Sequence, residues 1–304
     1  MKKLLLDVDT GIDDAIGIIL AAKRADVVGI TTVNGNTSLD YATANTLKVL
    51  NLIGRTDIPV VRGADRPLLR EPHFEVSVHG NDGIGGALKE MDAGEPASGF
   101  APDFIIEMAQ KHERELTLVL TAPLTNMALA IRKEPRLRDW VEEVVIMGGA
   151  VRVPGNITPT AEYNMYIDPE AAKIVLQSGL PITLVGLDVT EQTLLTDTEI
   201  DRMQGSPEGK FVKDSTGQYM KRYKEITGLH ACAMHDPLAV GVALDRSFVR
   251  TERLHVDVET NSDLCDGQTV ADFSNWTGKQ PNLDVCLEAD SGRFIDYLVE
   301  TMKM

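Results

Sequence analysis

The sequence predicts an α/β fold, a single domain over residues 1–304 with a mainly parallel central sheet flanked by helices. Three observations lead there. Short β-branched runs alternate with longer helical patterns, the runs are apolar at consecutive positions as in strands covered on both faces, and a chain of 304 residues can bury one large core.

The elements follow in order. Residues 3–8 read as a strand, and Gly11 permits the turn into a helix over 12–24. A strand at 27–33 leads to a helix at 39–53. A helix at 102–112 precedes a strand at 116–121, and Pro123 opens a helix at 124–132. A strand at 144–147, a helix at 169–177 behind an Asp-Pro pair, and strands at 182–187 and 254–259 complete the core. Residues 196–229 are more polar and helical, a helical excursion from the core rather than a second domain. The Asp-Gly of "DLCDGQTV" reads as a hairpin turn. The arrangement is Rossmann-like, so the ligand site is expected beyond the carboxyl ends of the strands.

Composition narrows the function classes. Lys and Arg total 30 against 46 Asp and Glu, a net charge of −16 that argues against nucleic acid or anionic membrane as partners. Cys232, Cys265 and Cys286 are odd in number, widely spaced and without a CxxC pair, and read as reduced thiols. Leu4, Leu5 and Leu6 are too short a run for a signal peptide, and no stretch approaches the roughly 20 apolar residues of a membrane span. A cytoplasmic protein is expected.

The stretch "KKLLLDVDTGIDDAIGIILAAKR" holds Asp7, Asp9, Asp13 and Asp14 between apolar runs. Alternation along the strand puts Asp7 and Asp9 on one face. Asp13 and Asp14 fall at a helix start, where free N–H groups and the helix dipole favour anions. Capping accounts for one or two acids. Four around one strand end repel one another, and a hard divalent cation, Ca²⁺ or Mg²⁺ rather than zinc, relieves that repulsion.

Two families carry such a pattern. The DxD of haloacid dehalogenase-like phosphatases is followed by a Thr four residues after the first Asp, where this chain has Gly11. The stretch also resembles the amino-terminal signature of the nucleoside hydrolases, the inosine-uridine-preferring nucleoside N-ribohydrolase family. "TTVNGNTSL", "VHGNDGIGG", "LTAPLTNMALA", "VIMGGA", "PGNITPTAEYNMYIDPEAA", "GLDVT", "MHDPLAV" and "DGQTVAD" stand in that family's order, so the resemblance covers nearly the whole chain.

The resemblance implies calcium-dependent hydrolysis of the N-glycosidic bond of purine or pyrimidine ribonucleosides by a homodimer or homotetramer. It implies one Ca²⁺ held by Asp9, Asp14, Asp236 and the main-chain carbonyl of Thr121, with Asp9 also the base that activates water. Asp13 would accept from the ribose 2′-hydroxyl, and Asp236 would meet the 3′-hydroxyl. Asn36, Asn156, Glu162 and Asn164 would bind ribose and its oxocarbenium-like transition state. His235, near its ordinary pKa, would protonate the departing base. His79, on a glycine-rich lid loop, and Tyr223 would flank the base.

The same residues have plainer readings. Asp236 before Pro237 is expected at a helix N-cap, and Asp168 before Pro169 is given capping alone. Tyr219 and Tyr223 share a helical face, a spacing usual in packing. Two places depart from the family habit, Asn34 and Ala122, where Ala and Gly are more frequent. A non-catalytic nucleoside-binding protein and, less favoured, a DxD phosphatase stand as alternatives.

Overall fold

In the computed structural model, which describes residues 1–75, 78 and 80–304, the sheet is laid down from its middle outwards. Strands β1 (Lys3–Val8), β2 (Asp26–Thr32) and β3 (Val60–Arg62) run to one edge. The chain then returns to the other side of β1 with β4 (Leu116–Leu120), β5 (Glu143–Met147) and β6 (Ile182–Val185). The order is β3-β2-β1-β4-β5-β6-β12-β9, parallel from β3 to β12 (Leu283–Ala289) and antiparallel only at the edge strand β9 (Val249–Leu254). The direction of winding reverses between β1 and β4, and a crevice opens beyond their carboxyl ends.

Alternation explains why these runs are strands. Leu4, Leu6 and Val8 face one apolar cluster while Leu5 faces the other, and in β5 Val145 and Met147 oppose Val144 and Ile146. The first cluster takes in Ile12, Ile16 and Ile19 of helix α1 (Ile12–Arg24), and beneath the second lie Leu124 and Met127. Each fully buried Leu or Ile contributes about 1.5–3 kcal/mol.

Helices α2 (Leu39–Leu52), α3 (Ala101–Lys111), α4 (Thr125–Lys133) and the short α5 (Leu137–Trp140) cover the sheet. Beyond β5 come α6 (Tyr163–Ile167) and α7 (Pro169–Leu176), and beyond β6 the single turn α8 (Leu187–Thr190). The excursion is closed at its base by β7 (Leu194–Thr196) pairing antiparallel with β8 (Ala231–Ala233). Between them run α9 (Asp197–Arg202) and α10 (Pro207–Thr227), which ends at left-handed Gly228. Phe211, Val212 and Met220 bury one side of α10, and a Lys23–Glu208 ion pair of 2.7 Å ties its first turn to α1. Helix α11 (His235–Leu244) lies beside α1, and α12 (Ser291–Met302) closes the chain.

Several expectations change. The strand expected at 254–259 is the end of β9 followed by β10 (Val256–Val258), which pairs with β11 (Thr269–Ala271) in a separate hairpin. Strand β9, "VRTERL", carries three charged residues, Arg250, Glu252 and Arg253, because it is a solvent-facing edge. The strand expected at 182–187 stops at Val185, because Gly186 turns the chain into α8. Asp266-Gly267 is not a two-residue hairpin turn: it lies at the end of the 259–268 connection, where Gly267 N–H donates to Glu259 O at 2.8 Å.

The two Asp-Pro pairs also part company. Met234 holds the N-cap position of α11, so Asp236 sits inside the first turn and its carboxylate is free of capping. Asp168 does cap α7, accepting from Ala171 N–H at 3.0 Å, but it accepts as well from Leu68 N–H at 2.8 Å and from Thr125 Oγ1 at 2.6 Å. Its role is therefore wider than capping: it fastens the loop after β3 to α4 and α7.

Asp168→Asn should destabilise the fold, because an amide turned either way leaves Leu68 N–H or Ala171 N–H without an acceptor. A loss of about 1–3 kcal/mol in urea unfolding is expected for one buried orphaned donor, and an unchanged midpoint would show that these bonds contribute nothing net.

Candidate active site

Three chain segments converge at the reversal point. Asp9 follows β1, Asp13 and Asp14 occupy the first turn of α1, and Asp236 comes from the first turn of α11. The helices approach closely at Gly17, where an added Cβ would lie 3.5 Å from Val240 Cγ2. All four acids are buried. Carboxylate oxygens of Asp13, Asp14 and Asp236 lie within 4.8 Å of one another, while Asp9 hydrogen-bonds Asp14, and Asp13 and Asp14 each hydrogen-bond Asp236.

Two carboxyl groups hydrogen-bond only by sharing a proton, and the electrostatics say the same. Burial, reinforced by neighbouring acids, pushes Asp9 and Asp236 well above the usual carboxylate range and Asp13 up to about 7. Asp14 is also raised by burial, although Gly11 N–H at 2.9 Å and Thr121 Oγ1 at 2.8 Å donate to it and oppose the shift. The donors are all hard oxygens, so the set fits a divalent cation that would replace the shared protons.

Asp7 stands apart from this group. Its strand ends at Val8, with Asp9 just beyond it. Asp7 instead accepts from Thr31 Oγ1 at 2.6 Å and Asn126 Nδ2 at 2.8 Å, fully buried beneath the site, and burial raises it to about 7. A phosphatase would need this residue as an exposed nucleophile.

Above the acids lies a cavity of about 300 Å³, at the small end for ligand sites. Asp13, Asn36, Thr121, Asn156, Glu162, Asn164, Tyr223, His235 and Asp236 line it. Asn36 donates to Asp9 from its backbone N–H and, at 3.2 Å, from Nδ2. Gly35 has to be glycine, since an added Cβ would fall 1.9 Å from Asp9 Oδ2. Asn164 Nδ2 donates to the carbonyls of Thr121 at 3.1 Å and Met147 at 3.2 Å, joining the ends of β4 and β5.

Glu162 caps α6, accepting from the N–H groups of Asn164 (2.9 Å), Met165 (3.2 Å) and Gly149 (3.0 Å); burial still raises its pKa. Asn156 Oδ1 accepts from Tyr163 N–H at 2.9 Å. His235 Nδ1 lies 2.7 Å from Thr190 Oγ1, and burial pulls the imidazole down to about 4. The ordinary histidine pKa expected from sequence is therefore replaced by a neutral ring at pH 7. Tyr223 meets Tyr219 edge-on, with centroids 6.3 Å apart. Tyr219 also lines the cavity, and its hydroxyl donates to Ala233 O at 3.1 Å. His79 lies outside the described residues.

Sequence reasoning missed Tyr163, Glu75, Glu191, Arg222 and Ile226, all of which line the cavity. For the last two a signal existed: positions 219, 222, 223, 226 and 227 form one helical stripe of α10. Tyr163, whose hydroxyl reaches Gly35 O and His73 O at 2.9 Å, carried no such signal, because its partners come from loops.

Fold and relatives together define the class: this is a nucleoside hydrolase, an enzyme of N-glycosyl bonds. More narrowly, the chain belongs to the inosine-uridine preferring nucleoside hydrolase family, whose sequence profile matches residues 4–296. It is 38% identical over 305 aligned residues to the pyrimidine-specific ribonucleoside hydrolase RihA of Escherichia coli O127:H6, spanning 99% of this chain and 98% of that one. Among solved structures it superposes on a plant nucleoside hydrolase, PpNRh1, with a TM-score of 0.95 at 33% identity over 99% of both chains. It also superposes on the purine-preferring ribonucleoside hydrolase of Gardnerella vaginalis, with a TM-score of 0.94 at 33% identity over 99% of this chain and 98% of that one. Among the described residues no helix is long and apolar enough to cross a membrane.

Because the acids are raised in the folded chain, protons and cation compete for them. Below their folded pKa values, about 7 for Asp13, the acids hold protons; above, they are free to bind. Any rise in Tm on adding a divalent cation should therefore grow between about pH 5 and about pH 8 and shrink in Asp14→Ala. A rise independent of pH, or undiminished in the variant, would place the cation elsewhere.

Proposed function

We propose that the chain hydrolyses the N-glycosidic bond of purine or pyrimidine ribonucleosides to free base and ribose, with Ca²⁺ at the carboxylate cluster. The observation that carries this reading is the clustering of buried Asp13, Asp14 and Asp236, with Asp9 beside them, at a cavity lined by Asn, Glu and His side chains. Asp9, Asp14, Asp236 and the Thr121 carbonyl would hold the ion. When bound, Ca²⁺ would supply positive charge that offsets the carboxylates and makes nearby water more acidic.

The protein groups then divide the work. Asp9 takes the proton of the attacking water. Asp13 accepts from the 2′-hydroxyl and Asp236 from the 3′-hydroxyl, so the ribose is held with its anomeric carbon over the acids. As the glycosidic bond breaks, positive charge spreads over the ribosyl ring, and Asn36, Asn156, Glu162 and Asn164 present oxygens to it. Negative charge grows on the departing base beside His235. His235, neutral in the free enzyme, would take up a proton from solvent once the base lies beside it and its growing negative charge raises the imidazole's proton affinity, and would pass that proton to the base as the bond breaks. Tyr223 and His79 would flank the base.

The relatives' names point to pyrimidines in one case and purines in another, so a panel of inosine, adenosine, uridine and cytidine is the direct test. Ribose release, followed by a reducing-sugar assay with Ca²⁺ present, is expected from at least one of them. Silence on all four would reject the activity. The same reading makes the protein a cytoplasmic homodimer or homotetramer, and exposed Leu264, Val270 and Trp276 offer apolar surface to a second copy.

His235→Ala should slow natural nucleosides by roughly 10²- to 10⁴-fold in kcat, the range of a lost general acid. It should largely spare p-nitrophenyl riboside, whose leaving group departs without a proton. An equal loss of kcat on both substrates would instead indicate damage to Asp236 or a proton donor elsewhere.

A further inference from the structure

The β10–β11 hairpin contributes nothing to the cavity lining, yet it reaches the back of the site. The hydroxyl of Thr269, buried at the start of β11, accepts from Ala150 N–H at 2.8 Å and donates to Ala150 O at 2.9 Å. One side chain thereby satisfies both backbone groups of a residue in the turn after β5. The preceding residue, Gly149, is left-handed with φ +80°, and an added Cβ there would lie 2.9 Å from Thr269 Cγ2. Gly149 O accepts from Leu187 N–H at 2.9 Å, and Gly149 N–H points at Glu162 Oε2, 3.0 Å away.

The turn is clamped on its other side as well. Asp188 accepts from Val151 N–H at 3.0 Å and Arg152 N–H at 2.8 Å. The connection leading to Thr269 is itself pressed onto α6: an added Cβ at Gly267 would lie 2.7 Å from Tyr166 Cα, and Arg70 joins Asp266 (2.7 Å) to Glu170 (2.6 Å).

We propose that Thr269 is a positioning residue for the hydrolytic reaction, holding the 149–150 turn so that the Gly149 N–H aims the Glu162 carboxylate at the ribosyl ring. The inference rests on the ribose-binding role given to Glu162 above. A carboxylate that stabilises a transient cation has to be held in place before the charge appears, because a displacement of about 1 Å is enough to cost up to roughly 10²-fold in rate. Thr269 supplies that rigidity from outside the cavity, through backbone groups alone. Serine keeps both hydrogen bonds, whereas valine keeps the shape and loses both.

The test is a double-mutant cycle on the Ca²⁺-loaded enzyme, reading kcat and KM for ribose release from the best nucleoside of the panel. Thr269→Val should lower kcat roughly 10- to 100-fold with KM changed less than about 2-fold, and Thr269→Ser should restore kcat. In a Glu162→Gln background the valine substitution should have almost no further effect, because the group it positions is already disabled. Should Thr269→Val not fold, Thr269→Ala, which leaves room for a water on Ala150, serves in the same cycle. Losses that multiply in the double variant, or an unchanged kcat in Thr269→Val, would overturn the proposal alone. A Glu162→Gln variant with full activity would overturn the role of Glu162 and this inference together.

Discussion

Mutual repulsion among the buried carboxylates of Asp9, Asp13, Asp14 and Asp236 is the constraint that the rest of the molecule has to satisfy. Left ionised without a counter-charge in a water-poor crevice, they would drive apart the first turns of α1 and α11. The fold opposes this in two ways. Large apolar faces on both helices pack around Gly17, and oriented donors at Gly11, Thr121 and Asn36 satisfy part of the acids' hydrogen-bonding capacity. What remains is met by shared protons or by a cation. The same unfavourable charge density that loosens the protein makes the site useful, because it suits both a bound ion and a ribosyl group that turns cationic.

Much of this was legible in the amino-acid sequence, for physical reasons that also mark where legibility ends. Strand β1 and helix α1 are recovered to the residue, since a doubly covered strand and a helix with acids at its start leave strong local patterns. Strand β9 was not, because an edge strand with Arg and Glu facing solvent does not resemble a core strand. Strand β12 and helix α12 went unread, although "LDVCLEA" pairs on both sides in the finished sheet.

At the site, local sequence supplied Asp9, Asp13 and Asp14, and family resemblance supplied Asp236, Asn164 and the rest. The geometry corrected what depends on burial. Asp-Pro looks the same before α7 and within α11, yet one carboxylate caps a helix and the other faces three acids. His235 looks ordinary in sequence, yet it sits half-buried at the cavity wall against Thr190, where burial lowers its pKa. Tyr163 was invisible because its hydroxyl meets carbonyls of two loops far apart in the chain.

The proposed ligand set also spans the chain unevenly. Two of its acids, Asp9 and Asp14, lie within the first 14 residues, and Asp236 arrives only after most of the protein has been made. During synthesis the amino-terminal strand and helix emerge with their negative charge uncompensated, and α11, the helix that covers α1, is still missing. A cation joining Asp9 and Asp14 to Asp236 would close a loop of more than two hundred residues. It would thus act like a reversible cross-link, forming only once the chain has come full circle and slowing its unravelling from either end.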